Sequence, residues 1–246
     1  MLYDNSLHRF LMLLLVTWLV AFSLSVKATN SDTEAPLPFL APYSATYSTV
    51  WKKGISLKVK GTQELIKQSD NQWLFLFKAK TFFASLKESS LFQLDENNQI
   101  QPLAYHYRSS AFGKERQAKL VFDWQKQQVV NDVKNTRWKM TIPESTLDKL
   151  SVQLQIRQDI KSKKTDLSYR IADGGLLKTW VFQNLGVEKI NTKIGAIEAI
   201  KVTRIDNRKK DKYTTFWFSP KHDYLLVKLE HRKKKEFYQL NLESLL

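Results

Sequence analysis

The stretch YRIADGGLLKTWVFQNLGVEKINTKIGAIEAIKVTR, residues 169–204, continues after a basic turn as YTTFWFSPKHDYLLVKL, residues 213–229. Its reading decides the fold class. Apolar residues alternate with polar ones, and turn residues cut the pattern at near-regular spacing. A side-chain period of two belongs to a strand with one covered face. Short alternating runs bounded by Gly, Pro, Asn and Asp read as an antiparallel meander. Asp173-Gly174-Gly175 reads as a hairpin turn whose glycines take positive φ.

The same rhythm runs upstream. Tyr43, Ala45, Tyr47, Thr49 and Trp51 share one face, Lys52-Lys53-Gly54 turns the chain, and Ile55, Leu57 and Val59 lead it back. Gly61 is expected to mark a bulge or bend. From Gln72 to Phe83, Trp73, Phe75, Phe77, Ala79 and Phe83 fall on one parity and form an aromatic wall. Further strands are expected over 86–94, 100–108, 119–124, 129–133 and 137–142, with Asp95-Glu96-Asn97-Asn98 as a turn. No Gly-rich phosphate loop appears.

Residues 144–164 break the rhythm. They lack Gly and Pro and are rich in helix formers. Ser145 or Thr146 would cap such a helix, and Asp148 would favour its N-terminal dipole. Yet Leu150, Val152, Leu154 and Ile156 alternate strictly, as in a strand. On a helix they would split into two apolar stripes, which a sandwiched helix would need. By pattern alone this segment stays open.

The chain has 246 residues, a formal net charge of +15 and no cysteine. Disulfides and thiol catalysis are excluded, as is a lipid anchor on an N-terminal cysteine. Arg9 precedes an apolar run from Phe10 to Phe22, broken only by Thr17. Val26-Lys27-Ala28 fits the small-residue cleavage rule. The run is short against the roughly 20 residues that a spanning helix needs. Residues 1–28 therefore read as a signal peptide cleaved after Ala28, which implies a periplasmic protein. The alternative is an uncleaved segment that tethers the chain to a membrane. Residues 29–42, with Pro36, Pro38 and Pro42, read as an extended lead-in, and 43–246 as a single β-rich domain.

Several pieces in order resemble the domain of unknown function 3108 family (DUF3108) of exported bacterial proteins. They are Pro42-Tyr43-x-Ala45-x-Tyr47, then Asp148-x-Leu150-Ser151 with Arg157. Gly186-x-Glu188-x-Ile190-x-Thr192 with Gly195 follows, and Trp217 with Tyr224-Leu225 closes the set. The resemblance implies a helix at 146–160. It also implies a mainly β fold: a strongly curved antiparallel meander, or open β-barrel-like sheet, with one helix in the middle of the chain. It brings no established activity. Lys149 stands where the family frequently has proline, which bears on where the helix starts.

No catalytic constellation stands out. His106, His222 and His231 show no metal-ligand spacing, so no metal and no cofactor are expected. No G-x-S-x-G elbow exists. Asp95-Glu96 reads as a solvated turn. Two features remain. Trp73, Phe75, Phe77 and Phe83 either fill an ordinary core or line a groove for an apolar chain. From 201 to 235 there are 12 Lys/Arg against 4 Asp/Glu. These include Arg208, Lys209, Lys210 and Lys212 in one turn and Arg232, Lys233, Lys234 and Lys235 in another. In a meander both turns, and the Asp173-Gly174-Gly175 turn, belong at one end of the sheet. There they serve solubility and edge protection, or meet anionic lipid headgroups or acidic glycans. Nucleic acid is not an expected partner. The function expected is a non-enzymatic binding or carrier module for a lipid or lipid-linked glycan, with peripheral contact to an anionic membrane. The alternative is a structural or interaction component of the envelope with a filled core and a basic docking patch.

Overall fold

The computed structural model describes residues 40–245, except 54, 134–135 and 207–210. The expected signal segment, nearly all of the lead-in, and Arg208, Lys209 and Lys210 lie outside the described residues. The first half of the fold is a run of hairpins: β1 (Tyr43–Lys53), β2 (Ile55–Lys67), β3 (Gln72–Lys80), β4 (Ala84–Leu94), β5 (Ile100–Ala111), β6 (Lys114–Asp123), β7 (Gln128–Val133) and β8 (Thr136–Thr141). A two-residue strand β9 (Thr146–Leu147) leads into one helix, α1 (Ser151–Lys161). The second half is β10 (Leu167–Asp173), β11 (Leu176–Thr192), β12 (Gly195–Arg204), β13 (Lys212–Ser219), β14 (Leu225–Lys233) and β15 (Glu236–Leu245).

Sequential strands pair in both halves, as the turn spacing predicts. The halves are joined by β1 and β15, which pair antiparallel from Ala45↔Leu245 to Lys52↔Phe237. The result is one curved 15-stranded sheet with β8 at one edge and β9 at the other. It is mainly β and barrel-like, but unclosed. One pair departs from the expected antiparallel pattern. β9 and β10 run parallel because α1 is the crossover between them. Register shifts at Thr46/Tyr47, Leu91/Phe92, 184–187 and Trp217/Phe218 add curvature. The shift in β11 is built on Gly186 at φ 85°, a conformation that glycine adopts without Cβ strain.

Gly61 is not at a bulge. β2 passes through it in register, and a Cβ there would lie 2.7 Å from Phe77 Cζ. Glycine is needed because the Phe77 ring lies against the backbone. Gly175 has a similar reason: its absent Cβ leaves room for the Trp138 indole of β8. The Asp173-Gly174-Gly175 turn therefore packs on the strand at the opposite edge of the sheet. β11 from Leu176 to Val181 pairs only with β10, so this turn stands further along the strand direction than the Arg204 end of β12.

The helix begins at Ser151, not at Thr146, and neither Ser145 nor Thr146 caps it. Asp148 does. Its Oδ1 accepts from the N–H groups of Leu150 and Ser151, each at 2.8 Å, while Ser151 Oγ accepts from the Asp148 N–H at 3.0 Å. The exchange is reciprocal, like a capping box. Nearly every residue of α1 is buried, including Gln155, Arg157, Gln158 and Asp159. The helix fills part of the sheet's concave side, which is why its apolar residues follow no single stripe.

A candidate ligand cavity beside the buried helix

Polar groups inside an apolar interior must find partners, and those of α1 divide the concave side in two. Around the middle and C-terminal part of α1 most of these groups are paired. Gln155 Oε1 accepts from the Ile100 N–H at 3.0 Å, and Asp159 accepts from Gln155 at 3.0 Å and from the Tyr169 hydroxyl at 2.8 Å. Arg157 donates from Nε to the Asp223 carbonyl at 2.9 Å and from Nη2 to its carboxylate at 2.7 Å. Lys161 reaches the other carboxylate oxygen at 2.6 Å. Asp223 and Tyr224 both hold positive φ, so this ion cluster fixes a strained turn onto the helix.

Beyond the N-terminal end of α1 lies a cavity of about 580 Å³. This is within the range of small-molecule sites, about 300–1,000 Å³. Leu150 and Gln153 form its floor. Phe77, Ala79, Leu86, Tyr107, Tyr238 and Leu240 contribute to its walls. The exposed residues Phe112, Lys114 and Arg116 mark its mouth. The strands place these side chains by parity alone: Phe77 and Ala79 on β3, Tyr107 on β5, and Tyr238 and Leu240 on β15 share the concave face.

Most of the lining surface is apolar, while about half of the lining residues are polar or charged. Among the described residues, Thr49 Oγ1 and Gln153 Oε1 are buried without a hydrogen-bond partner, and both residues line the cavity. Buried polar atoms are normally satisfied; Asn131 Oδ1, Arg157 Nη1 and Trp180 Nε1 share this state away from the cavity. Glu88 also faces the cavity and accepts from the Tyr105 hydroxyl at 2.5 Å. Burial pushes its carboxyl up from the ordinary glutamate range, against the opposing pull of the Tyr105 hydrogen bond and the Lys149 charge. Lys149 stands over the rings of Tyr105 and Tyr107 and pairs with Asp173 at 3.4 Å. The lysine at this position thus ties the Asp173 turn to the cavity wall.

The aromatic wall divides. Trp73 and Phe75 are buried core and do not line the cavity; Phe77 does. Phe83 is not on the wall at all. β3 ends at Lys80, and Phe83 sits 41% exposed in the β3–β4 turn, stacked on Phe112 at 5.1 Å. A strand parity extended past its last residue misplaced it. Of the basic residues, Lys212 pairs in register with Lys233, and the Lys234 N–H donates to the Asp211 carbonyl at 2.7 Å, so the chain at Asp211 and Lys212 adjoins the second basic turn. Lys233, Lys234 and Lys235 are exposed, whereas the Arg232 guanidinium lies over the Phe237 ring. Sequence reasoning missed the cavity residues Thr49, Gln153 and Glu88. No local pattern distinguishes a polar side chain on a concave wall from one on a solvated face. Among the described residues no cluster of metal-ligating side chains is present.

A family model described as "Protein of unknown function (DUF3108)" matches residues 43–235. Comparison with curated proteins finds no match. Among solved structures, the chain is similar to a β-barrel-like protein of domain of unknown function DUF1849 from Brucella abortus. The TM-score is 0.53 at 7% identity, over 84% of this chain and 97% of that one. Two weaker likenesses are to a candidate exported protein with a YmcC-like fold from Bacteroides fragilis and to a candidate outer membrane lipoprotein-sorting protein domain from Vibrio parahaemolyticus. The first has a TM-score of 0.32 at 10% identity, over 83% of this chain and 95% of that one. The second has a TM-score of 0.24 at 10% identity, over 84% of this chain and 85% of that one. The first of the three likenesses is one of fold.

Proposed function

The chain belongs to the DUF3108 family, and on that premise we propose that it is a non-enzymatic binding or carrier module for an amphipathic envelope ligand, a lipid or lipid-linked glycan. The observation that carries this reading is the cavity itself. A largely apolar space of about 580 Å³ opens at one end of the sheet, and Thr49 and Gln153, each with a buried polar atom that lacks a partner, are among its lining residues. An apolar chain would fill the walls of Phe77, Leu86 and Leu240, and a polar linkage would meet Thr49 and Gln153.

The test has two parts. Native mass spectrometry of protein taken from cells should show co-purified lipid. Ala79→Trp, which places a large ring in the cavity, should weaken binding of a fluorescent fatty acid by about tenfold or more, while circular dichroism stays native. If wild-type protein carries no lipid and does not bind the fatty acid, the carrier reading fails and the structural, protein-interaction role stands in its place.

The site of action we propose is the periplasm, reached by cleavage after Ala28. N-terminal sequencing of the periplasmic form should begin at Thr29. A chain that retains residues 10–22 and stays with membranes would point to the tethered alternative.

A further inference from the structure

The mouth of the cavity carries side chains that the folded core does not use. The β3–β4 turn is closed by the Thr81 N–H donating to the Ala84 carbonyl at 2.7 Å and the Ala84 N–H donating to Thr81 Oγ1 at 3.0 Å. Phe82 and Phe83 stand at its tip, and Phe82 is fully exposed. In the adjacent β5–β6 turn Phe112 is 59% exposed and holds φ 49° ahead of Gly113 at φ 75°. A bulky aromatic residue is a poor choice for this left-handed position, where Asn is favoured. Its N–H donates to the Phe83 carbonyl at 3.1 Å, and the two rings stack 5.1 Å apart. Solvent exposure gives no reason for three aromatic rings there, and the backbone strain at Phe112 opposes one of them.

Basic residues surround these tips. Lys80, Lys114 and Arg116 are exposed on the flanking strands. The basic β14–β15 turn lies at the same end of the sheet. The register Lys52↔Phe237 between β1 and β15, with Gly61↔Ala79 between β2 and β3, keeps these turns on one side. Glu236, beside Lys235, lines the same cavity as Phe112. Exposed aromatic groups ringed by lysine and arginine match the layered chemistry of a bilayer interface, apolar below and anionic above.

We infer that the turns at Thr81–Ala84 and Phe112–Gly113 form a membrane-docking tip that sets the cavity mouth on an anionic bilayer. Phe82, Phe83 and Phe112 enter the interface, while Lys80, Lys114, Arg116 and the Lys233–Lys235 turn meet lipid phosphates. The inference rests on the carrier reading for its purpose, but its test uses plain vesicles and no cavity ligand, so either can fail alone.

The chain has no cysteine, so one introduced thiol reports one position. An environment-sensitive dye on Phe82→Cys should shift to the blue with phosphatidylglycerol-containing vesicles. The same dye on Asp70→Cys, in the turn at the other end of β3, should not. The triple variant Phe82→Ser, Phe83→Ser, Phe112→Asn should bind such vesicles at least about tenfold more weakly, by analogy with losing the burial of even one large apolar side chain. Its melting temperature should hold or rise, since Asn suits the left-handed position at 112. Raising salt from about 0.05 to 0.5 M should weaken wild-type binding. Equal blue shifts at both positions, no shift at Phe82→Cys, or equal binding by wild type and triple variant would overturn the proposal. So would a dimer that buries the tips and leaves vesicles unbound.

Discussion

Glu88 is a carboxyl on the cavity wall, part-accessible from the cavity and otherwise enclosed by protein. Burial raises its pKa, and the Tyr105 hydroxyl and the Lys149 charge only partly oppose this. The sign of its linkage follows. A carboxyl with a raised folded pKa contributes stability that is fully present below the unfolded value, about 4.3, and is lost as pH rises through the folded value. Glu88→Gln has no such titration. The stability of the variant relative to wild type should therefore climb as pH rises above the ordinary glutamate range and level off past the raised value. Urea midpoints taken from about pH 4 to 8 would show it, and a difference independent of pH would mean that the carboxyl ionises as freely in the fold as out of it. Asp148, also raised by burial, is present in both proteins, and its charge is one of the causes that raise Glu88. At this scale the sequence was a mixed guide. Parity placed Phe77 on the concave side, but gave no sign that Trp73 and Phe75 lie away from the cavity. Gly61 was read as a bend, yet its reason is a ring on another strand.

At the scale of the element, α1 shows how burial conceals a helix. The alternation of Leu150, Val152, Leu154 and Ile156 reads as a strand because apolar residues occur all round the helix and not in one stripe. The start depends on Asp148, which also accepts from Ser90 Oγ on β4 at 2.6 Å. Asp148→Ala would leave two helix N–H groups and the Ser90 hydroxyl without an acceptor in a buried place. It should cost about 2–3 kcal/mol. Asp148→Asn keeps the acceptor oxygen and removes a buried charge, so it should stay within about 1 kcal/mol of wild type. Guanidinium denaturation of both variants decides the matter. An Asn variant as unstable as the Ala variant would show that the charge, and not the cap, holds the helix start. Strands were easier to read than this helix. Most half-buried strands of the sheet keep one covered face, so period two survives in the sequence.

For the whole molecule, the decisive contacts are long-range. β1 and β15 join across nearly the full length of the chain, Trp138 on β8 packs under Gly175 between β10 and β11, and Arg157 holds the turn at Asp223. Together they curl the sheet round α1, and they leave the space beyond the N-terminal end of the helix open. The juxtaposition of Asp211 and Lys212 with Lys233 and Lys234 followed from counting hairpins, because alternate turns of a meander return to one end. By itself the sequence determined the strand-rich class, the order of most hairpins, many of the turns and the family, since alternation, turn chemistry and motif order are local properties of the chain. Only the tertiary structure decided that the sheet wraps a buried helix, that Thr49, Gln153 and Glu88 meet in one cavity, and that exposed phenylalanines border its mouth. Those facts depend on curvature and on pairing between distant strands, which set what each concave face encloses without leaving a mark on neighbouring residues.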